Sequence, residues 1–127
     1  MEALKKVAIG FGAALTLVGI MGFIGLFTSA ANGHEKLLGL FEVDTLHNII
    51  HLASGLVCLA ASRNVATSQL FFKVFSFVYG LVTLLGFIQG HTVLGPIDIN
   101  PADNLLHIAI TLFALYFGFA FKTSVEG

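Results

Sequence analysis

Four ionisable residues at helical spacing carry the chemistry this sequence offers. His47 and His51 stand four apart, as do Asp103 and His107, and residues four apart share one face of a helix. Brought together they supply three imidazoles and a carboxylate, the ligand types that hold zinc, iron or copper. A histidine pair on one helix and His107 on another would also suit haem iron or, through a single axial ligand, the magnesium of a chlorophyll. A third reading needs no ligand: His51 and His107 each hydrogen-bond an asparagine or a carbonyl on a neighbouring helix. Ionisable groups inside apolar spans are costly and face the interior, a partner or a cavity, so both imidazoles are expected inside.

The residues around these four have structural work of their own. Asn100-Pro101-Ala102-Asp103 has the composition of a helix start, with Asn as N-cap, Pro at the first helical position and Asp near the positive end of the dipole. Asp103 is therefore as well suited to capping as to metal ligation. Asp44 holds the corresponding cap position before the other histidine-bearing run. Asn48 and Asn104, one turn inside, are expected to clamp helices through interhelical hydrogen bonds of about 0.6 kcal/mol each. His34 and His91 fall in loops, as solvated surface.

The elements that position these residues follow from composition. Of 127 residues 57% are hydrophobic and 10% charged, against roughly 25% charged in soluble domains. The apolar residues form four runs, approximately Val7 to Phe27, Leu46 to Ala61, Leu70 to Gln89 and Leu105 to Phe121. A span takes about 20 residues to cross roughly 30 Å of hydrocarbon, and the second run is the shortest. The expected fold is all-α, a transmembrane four-helix bundle forming one integral membrane domain over residues 1–127. The run after Met1 to Lys6 exceeds the core of a secretory leader, about 7 to 15 residues, and is taken as a first span.

The first pair of spans looks duplicated as the second. Val18-Gly19-Ile20-Met21-Gly22-Phe23-Ile24 aligns with Val82-Thr83-Leu84-Leu85-Gly86-Phe87-Ile88, with Phe11 on Phe75. His47-Asn48-Ile49-Ile50-His51-Leu52-Ala53 aligns with Asp103-Asn104-Leu105-Leu106-His107-Ile108-Ala109. Two parallel repeats of a helical hairpin would be related about an axis along the membrane normal, which would bring the two Asn-x-x-His motifs face to face. Gly19, Gly22 and Gly25, with Gly80, Gly86 and Gly90, are positions where backbones can approach closely.

Charge gives an orientation. Lys5, Lys6, Arg63, Lys73 and Lys122 lie on the side of the termini, and Lys36 on the other. The positive-inside rule puts both termini in the cytoplasm. Glu35, Glu42, Asp44, Asp98, Asp103 and all five histidines then gather toward the outer side. A net charge of −1 gives no basic patch for nucleic acid. Cys58 is the single cysteine, which excludes an internal disulfide or a cysteine metal cluster. No nucleotide loop, zinc-protease pair, nucleophile elbow or cysteine redox motif is present, and no catalytic residue is assigned.

The pattern Phe41-Glu42-Val43-Asp44-x-Leu46-His47-Asn48-x-x-His51-Leu52-x-x-Gly55, followed by Asn100-x-Ala102-Asp103-Asn104-x-x-His107, resembles the small bacterial four-span proteins grouped as domain-of-unknown-function family 4383. The resemblance covers nearly the whole chain; it implies the topology and supplies no activity. A looser architectural likeness links the chain to DoxX-like bundles associated with quinone oxidation, and fold alone does not fix function.

Two functions are expected from these residues. The first is a binding module in a bacterial cytoplasmic or photosynthetic membrane, with His51 and His107 holding a cofactor, or His47, His51, Asp103 and His107 a metal. The second is an accessory subunit of a larger membrane assembly, in which the histidines only join helices and the partners are the bilayer and other membrane subunits. A quinone-reactive redox subunit ranks behind both, because the chain brings no redox centre of its own.

Overall fold

Capping side chains set where the helices begin. The computed structural model describes residues 2–25, 28–31, 34–38, 41–90, 92–93 and 97–121. Phe27, His91 and Lys122 lie outside the described residues, as does the side chain of His34. Helix α1 covers Glu2–Met21, α2 Thr45–Ala61, α3 Val65–Gln89 and α4 Pro101–Leu115, the last running on into one π-helical turn at Tyr116–Ala120. Asp44 caps α2, its Oδ1 accepting from the His47 amide at 2.7 Å. Asn64 caps α3 by accepting from the Thr67 amide at 2.8 Å.

Asn100 caps α4 reciprocally: its Oδ1 accepts from the Asp103 amide at 2.9 Å, while its own amide donates to Asp103 Oδ2 at 3.0 Å. Replacing an N-cap by alanine costs about 1 kcal/mol. Asn100→Ala is expected to lower stability by that amount in unfolding titrations in detergent, while Asn100→Ser retains most of it.

These caps move the helices away from the hydropathy boundaries. The third and fourth begin at Val65 and Pro101, ahead of Leu70 and Leu105, because Asn64 and Asn100 start a helix before its apolar run does. The first ends at Met21 rather than Phe27, since the chain there leaves the helix to enter a strand. At the far end of α3, Gly90 takes φ 86°, a left-handed conformation suited to glycine.

The connections between α1 and α2 and between α3 and α4, expected as loops, hold short antiparallel ribbons. Strands β1 (Thr28–Ala31), β2 (His34–Leu37) and β3 (Phe41–Val43) pair in that order, with Ala31 opposite His34 and Leu37 opposite Phe41. Strands β4 (Thr92–Val93) and β5 (Ile97–Asp98) form a second ribbon. Strands this short carry too little alternation to be seen in sequence. Their placement is crossed: β3, joined to α2, lies beside α4, while β5, joined to α4, lies beside α2. Val43 and the equivalent Ile99 are both buried under these ribbons, and Ile99 packs with Ile50, Val82 and Leu85.

Helix α1 packs mainly on α2 and α3 on α4, giving two hairpins in the same orientation. The duplication is visible at side-chain level. A Cβ built on Gly22 would overlap the amide oxygen of Asn48, and one built on Gly86 would overlap that of Asn104. Each asparagine thus lies over the matching glycine of its hairpin partner. At Asn104 the amide oxygen meets the Gly86 backbone and is buried without a hydrogen-bond partner among the described residues. Cα–H groups facing amide oxygens contribute about 0.5–1 kcal/mol.

The end of the bundle away from the ribbons is filled by rings. Phe11 stacks on Phe113 at 5.0 Å between centroids and meets Phe72 and Phe75 edge-on at 5.5 and 5.6 Å. Outside, Phe77, Ile88 and Leu105 are 72%, 70% and 67% exposed. Contiguous apolar surface of this kind is foreign to a water-soluble monomer. Three helices, Ala3–Met21, Val65–Gln89 and Pro101–Ala120, are long and apolar enough to cross a membrane, while α2 is a shorter apolar helix.

Candidate metal centre

Three imidazoles lie inside the bundle. His47, His51 and His107 are 4%, 4% and 3% exposed, and they converge from two hairpins. His47 and His51 lie on successive turns of α2, with ring centroids 4.8 Å apart and planes at 26°. His107 comes from α4, its ring 5.7 Å from that of His47 and 6.0 Å from that of His51. One ligand nitrogen from each histidine lies within 4.8 Å of the other two.

Nitrogens around a tetrahedral ion at Zn–N distances near 2.0–2.1 Å are about 3.3–3.4 Å apart. The nitrogens here, all within 4.8 Å of one another, exceed that spacing by at most about 1.5 Å. His51 and His107, the pair expected to hold a tetrapyrrole, come from different hairpins with their ring planes at 38°.

Of the four residues expected to ligate, three are brought together. Asp103, at the N3 position of α4, is buried and holds the Asn100 amide in the capping box. It stands one turn before His107 and outside the three-histidine group. His47 occupies the same position in α2, its amide held by Asp44. The caps therefore fix the first turn of each helix, and the site residues follow from that register. Asn48 and Asn104 pack against Gly22 and Gly86 of the helix that pairs with theirs.

Tyr79, from α3, stands beside the three histidines. Its hydroxyl is 3.3 Å from His51 Nδ1, and its ring meets that of His107 edge-on at 5.5 Å. Beneath it a chain of hydroxyls joins α3 to α4. Thr83 Oγ1 lies 2.6 Å from the Tyr79 carbonyl and 3.3 Å from the Thr111 hydroxyl, and Thr111 Oγ1 lies 2.7 Å from the His107 carbonyl, so two hydroxyl protons serve three contacts. The signal for these residues is the stripe Phe72, Phe75, Ser76, Tyr79, Thr83 and Gly86, all on the buried face of α3. His107 Nδ1 is buried with no hydrogen-bond partner among the described residues, a costly state for a polar atom.

A cavity of about 430 Å³ opens between α2 and α3 and reaches His47, Ser54, Tyr79 and His107. Its walls are otherwise apolar.

A family model described as Domain of unknown function (DUF4383) matches residues 5–120, which include every residue of the site. No curated protein and no solved structure matches the chain.

Proposed function

The chain belongs to the DUF4383 family, whose description carries no activity, and we propose from the site itself that it is a membrane metal-binding protein holding one first-row transition-metal ion on His47, His51 and His107. The observation that carries this reading is the convergence of three buried imidazoles from two hairpins within 4.8 Å, with one nitrogen of His107 left without a partner. Unligated, the His107 Nδ1 is a buried polar atom without a hydrogen-bond partner among the described residues, which costs free energy in an apolar interior. A cation satisfies three lone pairs at once.

Imidazole ligands suit zinc, copper, iron and nickel. Three protein ligands leave a further coordination position, the pattern of reactive rather than purely structural zinc sites. Asp103, buried one turn from His107, would offset part of the ion's charge, and Tyr79 would orient His51 from outside the ligand set. The ion would supply Lewis acidity at the inner end of the cavity. The five basic residues on the side of the termini support placing both termini in the cytoplasm and the site toward the outer half of the bilayer.

The test is metal analysis of chain purified in mild detergent, followed by Co²⁺ titration of chelator-treated protein. One equivalent of metal and the strong visible bands of tetrahedral cobalt are expected, both lost in His51→Ala and retained in Ser76→Ala. Wild-type protein that is metal-free as purified and takes up no cobalt would overturn the reading.

A further inference from the structure

We propose that the cavity between α2 and α3 binds a single-chain amphiphile with a neutral, oxygen-bearing head, a hydroxyl or a carbonyl, seated against His107, His47 and Tyr79. This goes beyond the metal reading and does not depend on it, since the end wall presents imidazole and phenol groups with or without an ion.

The shape of the cavity selects a long tail. Helices α2 and α3 are joined by a tight turn at residues 62–64, yet they stand apart along their length. The wall of α2 supplies Ile50 and Val57, and that of α3 supplies Val74, Val78 and Val82. The same furrow continues past Val57, Phe71 and Val74 to Arg63 at the turn. From Ile50 to Arg63 the helix rises about 20 Å, the length of a long apolar chain.

The chemistry of the closed end selects the head. His47, Ser54, Tyr79 and His107 are its polar groups, and no Lys, Arg, Asp or Glu is among its described lining residues. An anionic headgroup would find no fixed cation there, whereas a hydroxyl or carbonyl oxygen finds hydrogen-bonding groups of matching polarity. A hydrocarbon would offer these imidazole, hydroxyl and phenol groups no hydrogen bond.

The experiment measures binding of radiolabelled phytol to the purified full chain in detergent, in chelator-treated and metal-loaded protein. Competitors are a decyl-benzoquinone for a carbonyl head, phytane for the tail without a head, and phosphatidylglycerol for an anionic head. Saturable binding is expected, with phytane and phosphatidylglycerol competing at least about tenfold more weakly than unlabelled phytol. Competition by the quinone assigns the shared head chemistry to carbonyls as well; its failure restricts the head to a hydroxyl.

Val78→Trp, which fills the furrow away from the histidines, is expected to weaken binding at least about tenfold with cobalt uptake unchanged. Ala53→Trp does the same from the opposite wall if the first variant does not fold. Equal competition by phytane or by phosphatidylglycerol, or undiminished binding in a folded furrow variant, overturns the proposal. A chain that binds phytol yet takes up no cobalt sinks the metal reading alone.

Discussion

Zinc at a thousandfold excess over its dissociation constant is expected to stabilise the wild-type bundle by about 4 kcal/mol, and His107→Ala is expected to abolish nearly all of that gain. The size is the mass-action gain for an ion that binds only the folded bundle, as the placement of the three proposed ligands implies. Two of them lie on α2 and one on α4, so an ion ties together two hairpins that otherwise meet through rings and a few hydroxyls. Losing one of three ligands should weaken affinity more than the 10–100-fold that outer-sphere partners cost. Thermal unfolding in detergent, with and without zinc, checks it. A metal-induced rise in His107→Ala as large as in wild type would mean that the ion binds elsewhere.

Gly19→Val is expected to cost about 3 kcal/mol or more and to unpair α1 from α2. A Cβ on Gly19 would lie 2.6 Å from the Leu52 backbone nitrogen, and a backbone atom cannot move aside as the end of a side chain can. Gly55 meets the same obstruction from the Thr16 amide, at 2.5 Å. Gly10→Val supplies the control, since nothing lies within 4 Å of its added Cβ. Denaturant titration of the three proteins should place Gly10→Val near wild type and Gly19→Val well below it.

The duplicated hairpin was legible in the sequence because it rests on patterns of residue type: glycine aligned with glycine, Asn-x-x-His with Asn-x-x-His. The pairing of Gly22 with Asn48 and of Gly86 with Asn104 gives those alignments a common physical cause. The histidine pair on α2 was legible for the same reason, as helical spacing is local. What was not legible depends on helices meeting. Tyr79 is 28 residues from His51, and nothing nearby in sequence distinguishes it from Tyr116, which is about half exposed. Spacing alone likewise does not separate the two roles of Asp103, which holds the Asn100 amide in the cap one turn before His107. The ribbons escaped notice because strands of two to four residues carry no period.

The brevity of α2 bears on how the protein meets its lipid. Seventeen residues rise about 25 Å, short of the roughly 30 Å hydrocarbon thickness, whereas the 25 residues of α3 exceed it. A bilayer accommodates such hydrophobic mismatch by thinning beside the short helix, at a fraction of a kcal/mol per Å. Around α2 the headgroups would dip toward His47 and His51, so the depth of the cluster below water is set jointly by the protein and by the lipids next to it.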